Sequence, residues 1–417
     1  MKRSITRRQA LIRGAAAAVA ITAAARIPAT QAVRESWHTI VVGAGVFGSW
    51  TAWWLRAAGK RVLLLDAAGP AHARASSGGE SRMTRGVYGA DRIYTQMAWD
   101  SLRDWKWLSA RAGLPIFHEI GVLFFFARRE PYVDQALAVH RDLRLPTQLL
   151  DHEQLARRFP QINWDGVALG LYEPEFGALM ARRGVQTLVQ EFVAHGGEYR
   201  TARVTAAATG GPLTHIELTD GARLAADHYV FACGPWLPKV FPELLGKRIF
   251  PTRQEVMFFA PEAGDTRFLP GALPGWADFN DGDIYYGFPD LEARGFKIAH
   301  DRHGVAVDPD VGDRVLSAEG LADVRAYLRR RFPSLADRPL SEARVCQYEN
   351  SSNGDLLIDR HPAVPNAWLV GAGSGHGFKH GPAVGRLAAD LVLGKRSRTE
   401  PRFSLATKTE VEQRAVH

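Results

Sequence analysis

The chain has 417 residues, of which 46% are hydrophobic and 23% charged; that excludes a disordered polymer and calls for a large domain with a second one. The net charge of +8 is not an address for nucleic acid, because Lys2, Arg3, Arg7, Arg8, Arg13 and Arg26 lie in an acid-free leader and the remainder is near neutral at +2.

The leader, residues 1–32, has three parts: a basic stretch with the pair Arg7-Arg8, a mild apolar run over 15–25, and the small-residue ending Thr30-Gln31-Ala32. This is the layout of a secretory signal, and the twin arginines resemble the Tat type, which exports folded proteins to the periplasm or beyond. The apolar run is too short for a bilayer core of about 30 Å, so a retained anchor is the weaker alternative. Cofactor binding before export would require such a route.

From Trp37 onward the pattern is strand, glycine turn, helix, strand. Thr39-Ile40-Val41-Val42 reads as a buried parallel strand, residues 46–58 as a helix stopped at Gly59, and Arg61-Val62-Leu63-Leu64-Leu65-Asp66 as the second strand. Residues 94–107 have helical spacing, 121–126 read as a buried strand, and 183–194 form an amphipathic helix. Two strand patterns then lead to Tyr229-Val230-Phe231-Ala232-Cys233-Gly234. Residues 235–289, rich in Pro, Gly and aromatics, read as strands and loops. Residues 321–332 are helical, and Arg329-Arg330-Arg331 reads as its solvated end. Trp368-Leu369-Val370-Gly371 is a strand before a glycine turn and a helix over 382–393. Residues after Lys395 are polar and expected to fray.

Gly43, Gly45 and Gly48 make a G-x-G-x-x-G between strand and helix. The first permits the tight turn, the second lets the backbone approach a pyrophosphate, and the third lets helix and strand pack closely. The helix N-terminus offers free N–H groups to phosphates. Asp66 ends the second strand, where a carboxylate binds a ribose hydroxyl. The motif indicates a dinucleotide without separating FAD from NAD. A second strand–glycine–helix unit, Gly371-Ala372-Gly373-Ser374-Gly375-His376-Gly377-Phe378-Lys379, suggests one long ligand held at both ends. Cys233 and Cys346 are the only cysteines, which excludes a disulfide scaffold and a Cys-based metal site but leaves one pairing open.

Several motifs carry a family resemblance: Ser76-Ser77-Gly78-Gly79-Glu80-Ser81-Arg82-Met83-Thr84-Arg85 with Tyr88, Tyr285-Tyr286-Gly287-Phe288-Pro289 with Lys297, Cys346-Gln347-Tyr348, Ile358-Asp359-Arg360-His361-Pro362, and Gly375-His376-Gly377-Phe378-Lys379. Together they resemble the monomeric sarcosine oxidase, N-methyltryptophan oxidase and pipecolate oxidase group of D-amino-acid-oxidase-like flavoproteins. Tyr94-Thr95 is nearest to the pipecolate oxidase version. Ala232-Cys233-Gly234-Pro235-Trp236 fits too, although Ala is usual at Cys233.

The resemblance implies FAD as cofactor, held by Gly43, Gly45, Gly48, Asp66, Ser76, Ser77, Val204, Gly234, Gly373, Gly375, His376, Gly377 and Phe378, and bonded covalently through the sulfur of Cys346. A buried, inert thiol is the competing reading of Cys346. Arg85 and Lys379 match the pair that grips a substrate carboxylate. Lys297 matches a lysine that activates oxygen, and Arg82 an arginine near the flavin ring. Tyr286 and Tyr348 match aromatic residues of the substrate cavity, with core packing the bland alternative. Gly78 and Asp301 depart from sarcosine oxidases, which carry histidine at both positions; a carboxylate at 301 suits a substrate ammonium or guanidinium.

The fold so implied is α/β: a Rossmann-like FAD-binding domain (33–115, 177–235 and 335–400) and an α+β substrate domain on a mixed β-sheet (116–176 and 236–334), with 401–417 as a tail. The reaction implied is oxidation of an amino acid, preferably a secondary, N-methyl or cyclic amine. Hydride passes to flavin N5, the imine hydrolyses, and oxygen is reduced to hydrogen peroxide. The partners are then an amine or amino acid and oxygen or a respiratory acceptor, with no nucleic acid, no membrane insertion, no metal and a monomeric state. Three rivals stand beside it: a dehydrogenase serving a quinone or cytochrome, a non-catalytic flavin-binding protein, and an NAD-dependent enzyme.

Overall fold

The computed structural model describes residues 36–205, 210–280, 284–302 and 304–411; the export-signal expectation for residues 1–32 lies outside them. Strand Trp37–Val42 sits between two parallel neighbours, Ala226–Phe231 and Val62–Asp66. Successive side chains alternate between faces. Val41 and Leu64 join one apolar core, and Ile40, Val42, Leu63 and Leu65 join another. A strand covered on both faces needs apolar residues at every position, which is why it reads as a run.

The sheet has six strands, ordered Leu357–Arg360, Ala367–Gly371, Ala226–Phe231, Trp37–Val42, Val62–Asp66 and Glu198–Thr201. Only the first pair is antiparallel. Helices Val46–Ala57 and Gly381–Val392 pack together within the first core. Gly385 permits their approach: a Cβ there would lie 2.5 Å from the backbone carbon of Trp50. The Trp54 indole donates to Pro382 O at 3.0 Å across the same contact. The two glycine turns, distant in sequence, are thereby held side by side.

A second sheet has eight strands, ordered Leu340–Ser351, Ile249–Phe259, Phe296–Asp301, Ile284–Phe288, Gly275–Asp278, Val122–Phe126, Leu169–Glu173 and Gln148–Asp151. It is mixed, as expected: Gly275–Asp278 and Val122–Phe126 run parallel, and the other pairs antiparallel. Helix Ala318–Arg331 packs on it through Tyr327, whose ring stacks on Tyr285 at 3.9 Å between centroids. A small three-stranded sheet, Ser81–Thr84, Gly177–Met180 and Phe117–His118, carries the Arg82 segment.

The structure departs from the sequence reading in several places. Strand Leu340–Ser351, expected with the FAD-binding segments, pairs with Ile249–Phe259 of the larger sheet. Arg331 is not solvated: it is buried, 3.1 Å from Asp278 in an ion pair, and donates to Asn163 O and Asp165 O. Burying an arginine requires such partners, and they come from segments the local pattern does not reveal. The segment after Lys395 is docked through residue 408: Phe403 and Leu405 are buried, and Arg402 bridges Asp91 and Asp355 at 2.6 and 2.8 Å. Helix Pro131–Leu143 and the one-turn helices Leu237–Val240 and Pro242–Leu245 were not foreseen. Among the described residues, no helix is long and apolar enough to cross a membrane.

Candidate active site

The C-terminal ends of four parallel strands converge on one crevice, as open α/β sheets require of a ligand site. Gly43 follows the first strand with φ of 105°, and a Cβ there would collide with the carbonyl of Ala232. Gly48 packs the helix onto the Gly43 turn and lines no cavity. Gly45 differs: its nearest neighbour in the Cβ direction is Ser77 Oγ at 3.5 Å, so the space it leaves open faces a ligand. Asp66 accepts from Ala44 N at 2.8 Å, Ala68 N at 2.9 Å and Gly69 N at 3.0 Å, fixing the turn and the following loop. Ser77 Oγ accepts from Val46 N at 3.0 Å, at the helix N-terminus.

These elements enclose a cavity of about 490 Å³. Its lining includes Gly43, Gly45, Asp66, Ser76 and Ser77, then Val204 and Gly234, and Gly373, Gly375, Gly377 and Phe378 of the second turn. A second cavity of about 80 Å³ is lined by Arg82, Arg85, Tyr286, Asp301, Tyr348 and Lys379, with His376 in its wall. The two share Arg82, Tyr348, Ser374, Gly375 and Phe378, so they are adjoining chambers. Six of the seven residues selected as catalytic or substrate-binding therefore come together.

Lys297 does not line either chamber. It is buried behind the Arg82 strand, where Nζ donates to Ser81 O at 2.8 Å and Ser81 Oγ at 3.0 Å, with the Phe288 ring 5.1 Å away. Burial, reinforced by Arg82, pulls its amine down to about 7. Cys346 is half-buried on its strand and packs with Tyr286, Val256 and Phe258. It is a free thiol, as is Cys233, so the pairing left open by the sequence is not formed. Gly78 has a steric reason: a Cβ would collide with the carbonyl of His72.

Residues 38–391 match the family described as FAD dependent oxidoreductase. The chain belongs to that family. It is 30% identical over 373 residues to the monomeric sarcosine oxidase of Bacillus sp. (strain B-0618), covering 88% of this chain and 95% of that one. It is 27% identical over 374 residues to N-methyl-L-tryptophan oxidase of Salmonella heidelberg (strain SL476), covering 85% and 94%. Among solved structures, L-proline dehydrogenase from P. horikoshii superposes with a TM-score of 0.77 at 18% identity, covering 89% of this chain and 98% of that one; that likeness shows the shared fold. The protein is an FAD-dependent oxidoreductase, and amine oxidation is the activity its relatives support.

The crevice fits FAD. Two glycine turns, held side by side, and Asp66 line the larger chamber, and a buried oxygen of Glu349, whose residue lines the wall, has no hydrogen-bond partner within the protein. The smaller chamber is cationic at one end. Arg85 donates to Val87 O and lies over the Tyr88 ring at 3.9 Å. Lys379 Nζ donates to Tyr88 Oη at 2.7 Å and His376 O at 2.6 Å. Burial, then the neighbouring Arg85, holds the Lys379 amine well below the ordinary lysine range. At the opposite end Tyr348 Oη donates to Asp301 Oδ1 at 3.2 Å. Burial, then Asp301, pushes the Tyr286 phenol up to about 12, so both tyrosines are neutral hydroxyls at working pH.

Three residues of this network escaped the sequence. Glu173 is buried, accepts from Gly86 N at 2.9 Å and has its carboxyl pushed up to about 8 by desolvation. His140 stands 3.6 Å from it. His380 and His376 both reach Tyr88 Oη, at 2.9 and 3.2 Å. His376, selected for the cofactor, faces the substrate side, with Nε2 donating to Gly354 O at 3.1 Å. The spacing of His376 and His380 by four was the one local hint. Tyr88→Phe removes a hydroxyl shared by Lys379, His376 and His380. It should lower the unfolding free energy by about 1–3 kcal/mol in urea melts; a loss below about 0.5 kcal/mol, the size of a surface change, would show that the three groups do not depend on it.

Proposed function

We propose that this protein oxidises the C–N bond of an amino acid to an imine, preferring a secondary, N-methyl or cyclic amine, with oxygen reduced to hydrogen peroxide. The observation that carries the reading is that Arg85 and Lys379 line the chamber adjoining the dinucleotide chamber at Tyr348. FAD, when bound, supplies the acceptor for two electrons and a hydrogen from the carbon beside nitrogen.

The residues of the chain do the rest. Arg85 offers a planar fork to a carboxylate, and Lys379 adds a point charge beside it. An arriving carboxylate favours the protonated lysine, so binding and charging of Lys379 reinforce each other. Asp301, held by Tyr348, is available to accept an N–H from the substrate amine. Met83, Phe124 and Phe279 line the chamber with apolar surface, which limits water and strengthens these charge contacts.

Anaerobic mixing with L-pipecolate, L-proline, sarcosine, N-methyl amino acids, and basic and D-amino acids tests the reading. Bleaching of the flavin absorbance by a secondary or cyclic amino acid is expected. A yellow protein reduced by dithionite but by none of these would contradict it.

Cys346 belongs to the same proposal as the attachment point: its Sγ would be bonded to a methyl carbon of the flavin ring in place of one hydrogen, the S–H and one methyl C–H being lost and their two protons and two electrons passing to oxygen as hydrogen peroxide. Acid-precipitated protein should then stay yellow, and Cys346→Ser should release its flavin; release from the wild type would overturn the bond.

The role of Lys297 has a pH signature. Its amine is charged below about 7 and neutral above, and a fixed positive charge stabilises the anion formed as oxygen accepts its first electron. Reoxidation by oxygen should slow as pH rises through about 7, and Lys297→Met should be slow at every pH. Equal rapid rates in wild type and Lys297→Met would remove Lys297 from this role, and sluggish reoxidation of the wild type would shift the reading to a dehydrogenase serving a quinone or cytochrome.

A further inference from the structure

Strand Leu340–Ser351 carries an acid, Glu349, one residue beyond Tyr348. It is 6% exposed and lines the larger chamber. Its main-chain oxygen accepts from Ser374 N at 2.9 Å, and its carboxyl group lies by the backbone amides of Ala372 and Gly373. The side chain is thus docked on the second glycine turn, so closely that a Cβ on Gly371 would collide with Oε1. Oε1 is buried and has no hydrogen-bond partner in the protein.

Leaving a buried polar atom unmade costs about 1–3 kcal/mol. In a residue that lines a ligand chamber, such an atom marks a contact that the ligand completes. Desolvation pushes this carboxyl up to about 8, and the groups that favour its charged form are two backbone amides rather than a cation. Around neutral pH it therefore carries a proton and both donates and accepts. The second turn itself carries His376 and Lys379, and the chamber wall also holds Asp66, His72, Arg74, Arg82, Arg203, Lys239 and Asp310; on the neighbouring turn, burial, then Asp66 and Glu349, raises the Cys233 thiol.

Position selects which part of FAD it meets. Asp66 and the Gly43–Gly45 turn mark the end suited to ribose and pyrophosphate, and Tyr348 marks the junction with the substrate chamber. Glu349 is next to Tyr348 in sequence and docked on the second turn, between those limits. A neutral acid suits a chain of hydroxyl groups there. We propose that Glu349 is an FAD ligand whose Oε1 hydrogen-bonds to a hydroxyl of the polyol chain joining the flavin ring to the pyrophosphate. The proposal rests on the FAD site described above.

The test uses the Cys346→Ser protein, so that no sulfur bond hides the equilibrium, with FAD itself as probe. Affinity is read from quenching of FAD fluorescence, and thermal midpoints are taken with and without FAD. Glu349→Leu should weaken FAD binding about tenfold and shrink the rise in midpoint that FAD produces. Glu349→Gln, which keeps a donor and an acceptor, should bind within about threefold of its parent. If Glu349 only braces the glycine turn, Glu349→Leu lowers both midpoints equally and keeps parental affinity, which overturns the proposal. Equal losses in the Gln and Leu variants would overturn the neutral hydrogen bond. Should the Leu variant not fold, Glu349→Ala gives the same comparison. Failure of the parent to bind FAD would instead strike the cofactor site, and this proposal with it.

Discussion

Lys379 is an amine buried beside Arg85, in a setting that disfavours its charged form. Its Nζ is held by a phenol and a carbonyl, and the residue is 4% exposed. Taking an ammonium out of water costs several kcal/mol unless opposite charge answers it, and Arg85 nearby makes that cost larger. Glu173 lies within their influence, yet its own carboxyl is driven toward the neutral form. Asp301 and Glu173 act against Arg85 and favour the charged amine, and an anion docking beside Lys379 would do the same. The proposed reading rests on that balance: a substrate carboxylate docks beside Arg85 and Lys379, and the other end of the substrate faces the flavin.

Such a wall is useful only beside the cofactor, and the fold supplies the adjacency. Helices Val46–Ala57 and Gly381–Val392 close on each other through Gly385, which holds the two glycine turns side by side. Lys379 stands at the start of the second helix unit. Strand Leu340–Ser351 belongs to the other sheet and ends against the second turn, through Ser374 N on Glu349 O. One strand thus brings Tyr348 and Glu349 to the chamber walls, with Cys346 two residues before Tyr348. Small movements of that strand would disturb cofactor and substrate contacts together.

The dinucleotide half was legible because its signals are steric and local. Gly43 and Gly48 cannot carry a Cβ where they stand, and Asp66 must end its strand to catch the Ala44 amide. The substrate half was legible only through family resemblance, since an isolated arginine or lysine is more often on the surface. Glu173, His140 and Glu349 gave no signal that a single sequence could carry, and His380 only its spacing from His376, because each acquires its role from a partner tens to hundreds of residues away. Arg331 and the docked segment around Phe403 failed for the same reason: a polar stretch reads as solvated until its buried partners, Asp278 for one and Asp355 for the other, are in view.

The central proposal is that Arg85 and Lys379 receive a substrate carboxylate beside the flavin. Titrating the oxidised holoenzyme with 2-furoate, a carboxylate with no amine to oxidise, tests it through the visible flavin spectrum. The account predicts a saturable spectral shift, absent with the neutral 2-furamide and weakened about 10–150-fold in Lys379→Met, the range of a charge-assisted hydrogen bond. Equal binding of acid and amide, or an undiminished shift in Lys379→Met, would contradict it.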